Sequence, residues 1–347
     1  MERQIREALE AVQDPELKRN IVELRMVRDI SIRDGEARIT LALTTMGCPM
    51  KKRIVEDVER AVRKVAGVSS VHVELTVMSR EELDHLFPKH PLQGIEKVAR
   101  FIAVASGKGG VGKTTVAINL ALALSREGFQ VGLLDADVYG PSIPTMLDLS
   151  ERPRAEAKMI VPLEKFGLKI MSFGFFLGGA QPLIWRGPLV GKTIKQFLDE
   201  VMWGHLDYLV VDLPPGTGDP SITIAQSVPS ASVVMVTTPQ EVALADVRKS
   251  IGMFEEMHIE ICGIVENMSY FSCGHSKERI EIFGSGGGEI LSRETGLPLL
   301  GSIPIDIKLR KGGDMGVPLM VEAPDSETSE VFRAIAQKVI GRLNAGS

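Results

Sequence analysis

From residue 98 onward the apolar positions come in short unbroken runs, with glycines and carboxylates gathered between them. Residues 101–105, 130–134, 206–212, 232–236 and 259–265 each have the length and composition of a strand buried on both faces, as in a parallel sheet. Residues 169–173 read as a further strand, and 303–306 end another. Between the runs, 116–124 reads as a buried helix. Residues 189–201 read as an amphipathic one, with Leu189, Ile194, Phe197, Leu198 and Val201 apolar. Strand alternating with helix predicts an α/β domain, a mostly parallel sheet covered by helices on both faces. Residues 151–180 otherwise show no clear period.

The first 85 residues follow a different pattern. Ile5, Leu9 and Val12 share one helical face, and Asp14-Pro15-Glu16 ends that helix. Residues 38–43 read as a strand. A helix over 50–65 turns Ile54, Val58, Ala61 and Val65 inward, with Gly67 as its C-terminal cap. Val71, Val73, Leu75 and Val77 alternate as a half-buried strand. This predicts a small α+β domain at 1–85, a linker at 86–97 and the α/β domain at 98–347. His85 and His90, beside two prolines, read as solvated linker residues.

The break after the first run carries the chemistry. It reads Gly107-Lys108-Gly109-Gly110-Val111-Gly112-Lys113-Thr114-Thr115. Strand, glycine loop and helix in that order make a P-loop, a phosphate site. The glycines let backbone N–H groups curl around phosphate oxygens, and the helix start adds free donors and a positive dipole end. Gly107 to Thr115 would line ATP, Lys113 would reach the β- and γ-phosphates, and the Thr114 hydroxyl would ligate Mg²⁺. The run at 206–212 ends in Asp212, the Walker B position that supports Mg²⁺. Leu213-Pro214-Pro215-Gly216-Thr217-Gly218-Asp219 follows, a loop of defined geometry suited to sensing a γ-phosphate. Asp135 and Asp137 stand at the C-terminal end of another strand, where ligands of open α/β sheets bind. Asp137 is the candidate for orienting the attacking water, and Asp135 for holding Mg²⁺ through a water.

Composition narrows the partners. The chain has 347 residues, 44% of them hydrophobic, and a net charge of −5, so no general field draws nucleic acid. No apolar stretch nears the roughly 20 residues that span a bilayer, and the N-terminus does not read as a signal peptide. The three cysteines, Cys48, Cys262 and Cys273, make no disulfide framework. The chain therefore reads as cytoplasmic, in a reducing compartment.

Lys108, directly after the first glycine, makes the loop resemble the deviant Walker A of the MinD/ParA/Mrp/nitrogenase-iron-protein group. That resemblance implies a homodimer in which Lys108 crosses to the partner's nucleotide, and an asparagine, here Asn267, that hydrogen-bonds adenine. Further stretches are similar to the Mrp/ApbC iron–sulfur cluster carrier ATPases over essentially the whole chain. They are Trp185-Arg186-Gly187-Pro188, Trp203-Gly204-His205-Leu206-Asp207-Tyr208, residues 212–219 and Glu266-Asn267-Met268-Ser269-Tyr270-Phe271. The small domain resembles SufT-like iron–sulfur assembly domains through Asp14-Pro15-Glu16-Leu17, Ile21-Val22-Glu23-Leu24 and Gly47-Cys48-Pro49, with Arg25 where that family has glycine. The resemblance implies slow ATP hydrolysis with Mg²⁺ and transfer of clusters to apoproteins, alongside the assembly machinery.

The chain departs from Mrp-like proteins in one place. They carry Cys-Pro-His-Cys where this chain has Cys273-Gly274-His275-Ser276. Two subunits then offer two thiolates where clusters take four protein ligands, unless His275 completes a mixed set. Three outcomes stay open: a cluster held with help from Cys48 or exogenous thiols, delivery without stable holding, or loss of that chemistry. Cys48 itself is either a metal-handling thiolate, favoured at a helix N-terminus, or a small buried residue. Cys262 lies mid-strand and reads as core. The competing class is a MinD-like positioning ATPase that grips a membrane with the stripe Val331, Phe332, Ile335, Ala336, Val339, Ile340 and Leu343. The same stripe would equally serve a last helix packed on the sheet. A reductase like the nitrogenase iron protein would need the thiolate that Ser276 replaces.

Overall fold

The computed structural model describes residues 1–15, 19–33, 35–43, 50–79, 82, 92–156, 159–176, 187–218, 222, 227–228, 231–272 and 278–345, the backbone alone over 187–192. The chain separates into two compact units, Met1–His90 and Pro91–Ser347. Glu16-Leu17, residues 44–49 with Cys48, His85, His90, Trp185-Arg186, Asp219 and residues 273–277 with Cys273, His275 and Ser276 lie outside the described residues.

The first unit comprises α1 (Glu2–Leu9), β1 (Val27–Arg33), β2 (Glu36–Leu43), α2 (Lys51–Val62) and β3 (Ser70–Val77). β2 is central, antiparallel to β1 and parallel to β3. Ile5, Leu9, Ile54, Val58 and Val62 pack on Ile39 and Leu41 to form its core. Helix α1 stops at Leu9, earlier than the apolar spacing predicts; Val12 stays buried as the chain turns back, with Ile21 N–H bonded to its carbonyl. Val62 completes the inner face of α2, while Ala61 and Val65 are half-buried. The helix ends before Gly67, whose φ of +92° shapes the turn beyond. Strand β1 escapes the period-2 reading because its register shifts between Val27 and Asp29. Arg25 has φ +54°, so it keeps a left-handed turn where the resemblance expected glycine.

The second unit runs β4 (Val98–Ser106), α3 (Lys113–Arg126), β5 (Val131–Asp135), α4 (Ile143–Met146), β6 (Arg154–Glu156), β7 (Met159–Val161), β8 (Leu163–Lys165), β9 (Leu168–Ser172), α5 (Gly187–Glu200), β10 (Leu206–Asp212), β11 (Ala231–Thr237), α6 (Glu241–Glu256), β12 (Ile261–Glu266), β13 (Phe271–Ser272), β14 (Arg279–Ile280), α7 (Gly287–Thr295), β15 (Leu299–Ser302), α8 (Ile307–Met315), α9 (Leu319–Glu322) and α10 (Glu327–Ala345). Eight strands form one sheet in the order β15-β12-β11-β4-β10-β5-β9-β8, parallel except for the β8–β9 pair. Helices cover both faces. The strands β6 to β8 are three residues each with exposed or half-buried side chains, so no period marks them in the sequence.

Strand β4 lies between β10 and β11, so the glycine loop leaves the middle of the sheet at its C-terminal edge. Helix α3 is buried from Val116 to Leu124. Helix α10 settles the C-terminal stripe: Phe332, Ile335, Ala336 and Val339 are fully buried in the core. A Cβ built on Gly301 of β15 would lie 2.6 Å from Ile335 Cγ1, so only glycine admits this close a seat. The apolar face proposed for a membrane is thus covered by protein. Among the described residues no helix is long and apolar enough to cross a membrane.

Candidate functional site

Helix α3 begins at Lys113 with Gly112 in the left-handed region, φ +82°. The loop before it is held from behind. Ser106 Oγ donates to the Lys108 carbonyl at 3.0 Å, and Gly216 N–H donates to the Ser106 carbonyl at 2.8 Å, tying the loop after β10 to the start of the P-loop. A Cβ on Gly107 would sit 2.4 Å from the Val247 backbone nitrogen of α6, and one on Gly112 would sit 2.2 Å from Asn267 Nδ2. At Gly109 and Gly110 nothing lies within 4 Å of that position. Two glycines therefore seat the loop and two leave its backbone open, the division a phosphate cradle needs.

Gly112→Ala tests the seat. Left-handed backbone costs an L-residue about 1–2 kcal/mol, and the methyl would displace a buried asparagine amide. The expected result is a lower melting temperature of the α/β unit by thermal unfolding; an unchanged melt would refute the packing described.

Four predicted residues converge at the helix start. Lys113, 6% exposed, donates to Asp212 Oδ1 at 2.6 Å and lies 3.7 Å from Asp137 Oδ2. Thr114 Oγ1 donates to Asp212 Oδ2 at 2.6 Å. Asp212 is fully buried; burial raises its pKa, and the Lys113 charge opposes that rise. Asp137 is near the surface end of this group, its Oδ1 accepting from Gly140 N–H at 3.3 Å.

Asp135 lies deeper than Asp137, the other carboxylate of the site that is not on β10. It is fully buried, and its carboxyl accepts from Ser172 Oγ at 2.8 Å and from the Ile143 and Asp137 N–H groups, both at 3.2 Å. Burial first, and the Asp212 charge second, push its pKa up to about 8. It braces the 135–143 loop and so sets the position of Asp137. Ser172 was not foreseen, because a serine ending a strand in an irregular stretch carries no sequence signal.

Asn267 lies behind the P-loop, 4% exposed, with Nδ2 donating to the Val111 carbonyl at 2.8 Å. Its neighbour Glu266, also unforeseen, is buried and accepts from Ser269 Oγ and, at 2.5 Å, from Gly288 N–H at the start of α7. Lys108 is half-buried and makes no ion pair among the described residues. Cys262 is buried, with burial pushing its thiol up to about 11, so it behaves as core. A cavity of about 560 Å³ beside Phe129, Phe166 and Leu206 opens at the opposite end of the strands and contains none of the predicted site residues.

Residues 97–340 match the family model of the NUBPL iron-transfer P-loop NTPase, of the ParA group, and residues 2–75 match that of an iron–sulfur cluster assembly protein. A Synechocystis protein named iron–sulfur cluster carrier protein is 47% identical over 342 residues, 97% of this chain and 96% of that protein. The nucleotide-binding protein of Archaeoglobus fulgidus, solved in complex with ADP, is 40% identical, covers 69% of this chain and 94% of its own, and has a TM-score of 0.60. The cell division ATPase MinD of Pyrococcus furiosus, 24% identical over 70% of this chain and 99% of its own with a TM-score of 0.53, shares the fold. Because the family model spans nearly all of the α/β unit and a cluster carrier aligns nearly end to end, the chain belongs to the NUBPL-type iron-transfer P-loop NTPases, the family of the iron–sulfur cluster carrier proteins.

Proposed function

We propose that this chain binds Mg·ATP at the 107–115 loop, hydrolyses it slowly as a homodimer, and carries iron–sulfur clusters to apoproteins. The observation that carries the nucleotide half is the hydrogen-bonded group of Lys113, Thr114 and Asp212 beside an open glycine backbone. ATP would place its phosphates in that backbone cup, with Lys113 on the β- and γ-oxygens. Thr114 and Asp212, already side by side, would hold the Mg²⁺, which supplies charge neutralisation for the transferred phosphoryl group. Asp137, held by Gly140 and steadied through Asp135, would orient the attacking water. Asn267 would offer its Oδ1 to the adenine amino group while Nδ2 holds Val111. Lys108 would act across the dimer.

The cluster is cargo, and Cys273 is its proposed thiolate. One such residue per subunit gives two per dimer, so Cys48 or exogenous thiols would complete the set. The relatives' names support this half. Burial of the C-terminal stripe weighs against a membrane-gripping positioning ATPase.

Anaerobic reconstitution of the full chain tests the reading. Iron and sulfide should bind in matched amounts, and Cys273→Ala should bring them to background. Iron at background in the natural chain, or unchanged in the variant, would refute the carrier role assigned to Cys273.

A further inference from the structure

Residues 266–272 run from the back of the P-loop into strand β13 of the β13–β14 hairpin, and they are held at nearly every step. Asn267 grips the Val111 carbonyl through its side chain, and its own N–H donates to the Thr237 carbonyl at 2.8 Å. Met268 follows in the left-handed region, φ +55°, with its Cε 3.7 Å from where a Cβ on Gly112 would be. Ser269 N–H donates to the Ile303 carbonyl at 3.0 Å, and Ile303 N–H to the Glu266 carbonyl at 2.8 Å. Ile305 N–H then donates to the Tyr270 carbonyl at 2.6 Å. Phe271 and Ser272 of β13 pair with Ile280 and Arg279 of β14, and the Arg279 guanidinium lies 4.3 Å over the Tyr270 ring. The Glu266 carboxylate bonds both Ser269 Oγ and Gly288 N–H, fastening the base of the segment to α7.

The contact at Val111 matters because a peptide unit is rigid and planar. The Val111 carbonyl and the Gly112 N–H belong to one such unit and point in opposite directions. Turning that N–H toward a phosphate must move the carbonyl that Asn267 holds. A segment with slack would absorb the movement, but this one is pinned on β11, on the 303–305 stretch and on α7.

We propose that residues 266–272 form a stiff link through which nucleotide occupancy of the P-loop alters the β13–β14 hairpin. This rests on the nucleotide reading above. By linkage, whatever the hairpin holds alters nucleotide affinity by the same factor. Glu266 and Met268 are positioning residues here: the first anchors the segment, and the second sets its bend.

Hydrogen exchange followed by mass spectrometry tests the link on the full chain, with and without Mg²⁺ and a non-hydrolysable ATP analogue. Peptides covering 106–115 report binding, and peptides covering 268–282 report the hairpin. The expected result is protection of the first and a change of about fivefold or more in the exchange of the second, the lower range of allosteric couplings. Met268→Gly should keep P-loop protection and lose most of the hairpin response, because glycine takes the same φ without strain yet leaves the segment loose. P-loop protection with an unchanged hairpin in the natural chain, or a full response in Met268→Gly, would overturn the link. Absence of P-loop protection would instead sink the nucleotide reading, and the link with it.

Discussion

Lys113→Ala is expected to weaken ATP binding by about 100-fold or more. A hydrogen bond between charged groups contributes about 1.5–3 kcal/mol, and this ammonium would serve two phosphate groups. One effect opposes the loss: in the present geometry Lys113 is bonded to Asp212 at 2.6 Å, so binding must loosen an existing pair. That opposing effect is the smaller. Without Lys113, the carboxyl groups of Asp212 and Asp137, 2.6 and 3.7 Å from its ammonium, face incoming phosphates with no fixed cation between them. Like-charge contact then adds to the lost attraction. Isothermal titration of the full chain reads the outcome, and an affinity equal to the natural chain's would overturn the assignment of this loop as the nucleotide site.

Lys108→Ala is expected to leave binding within a few-fold and to lower hydrolysis by about 10³–10⁵, the range of cations supplied in trans in GTPases. The argument is one of placement. Lys108 makes no ion pair among the described residues and sits next to the open backbone of Gly109 and Gly110. Its carbonyl is fixed by Ser106 Oγ, so the loop holds its shape when the side chain is removed. Phosphate release under single-turnover conditions separates this from Lys113→Ala, which fails at binding. Hydrolysis at the natural rate in Lys108→Ala would remove the trans role.

Much of this was legible in the chain itself, where the signal is local. The apolar runs that became β4, β5, β10, β11 and β12 are buried on both faces, and a buried strand must be apolar along its whole length. The glycine cup is legible because its spacing is set by a single ligand over a few residues. Where the chemistry depends on distant neighbours, the chain is silent. Asp135 turns inward to Ser172, 37 residues away, and nothing in either stretch announces the pair. β1 was missed because a bulge interrupts the alternation that marks a strand.

The sequence by itself determined that this is a strand–loop–helix phosphate site in a parallel sheet, since period and glycine spacing are properties of neighbouring residues. Only the tertiary structure decided that Asn267 holds Val111 across 156 residues, that Glu266 fastens α7, and that the stripe of α10 faces protein. An amphipathic face says that something apolar must cover it, and a buried carboxylate says that donors must meet it. Which partner does so depends on how the strands are ordered in the sheet, and no stretch of chain carries that alone.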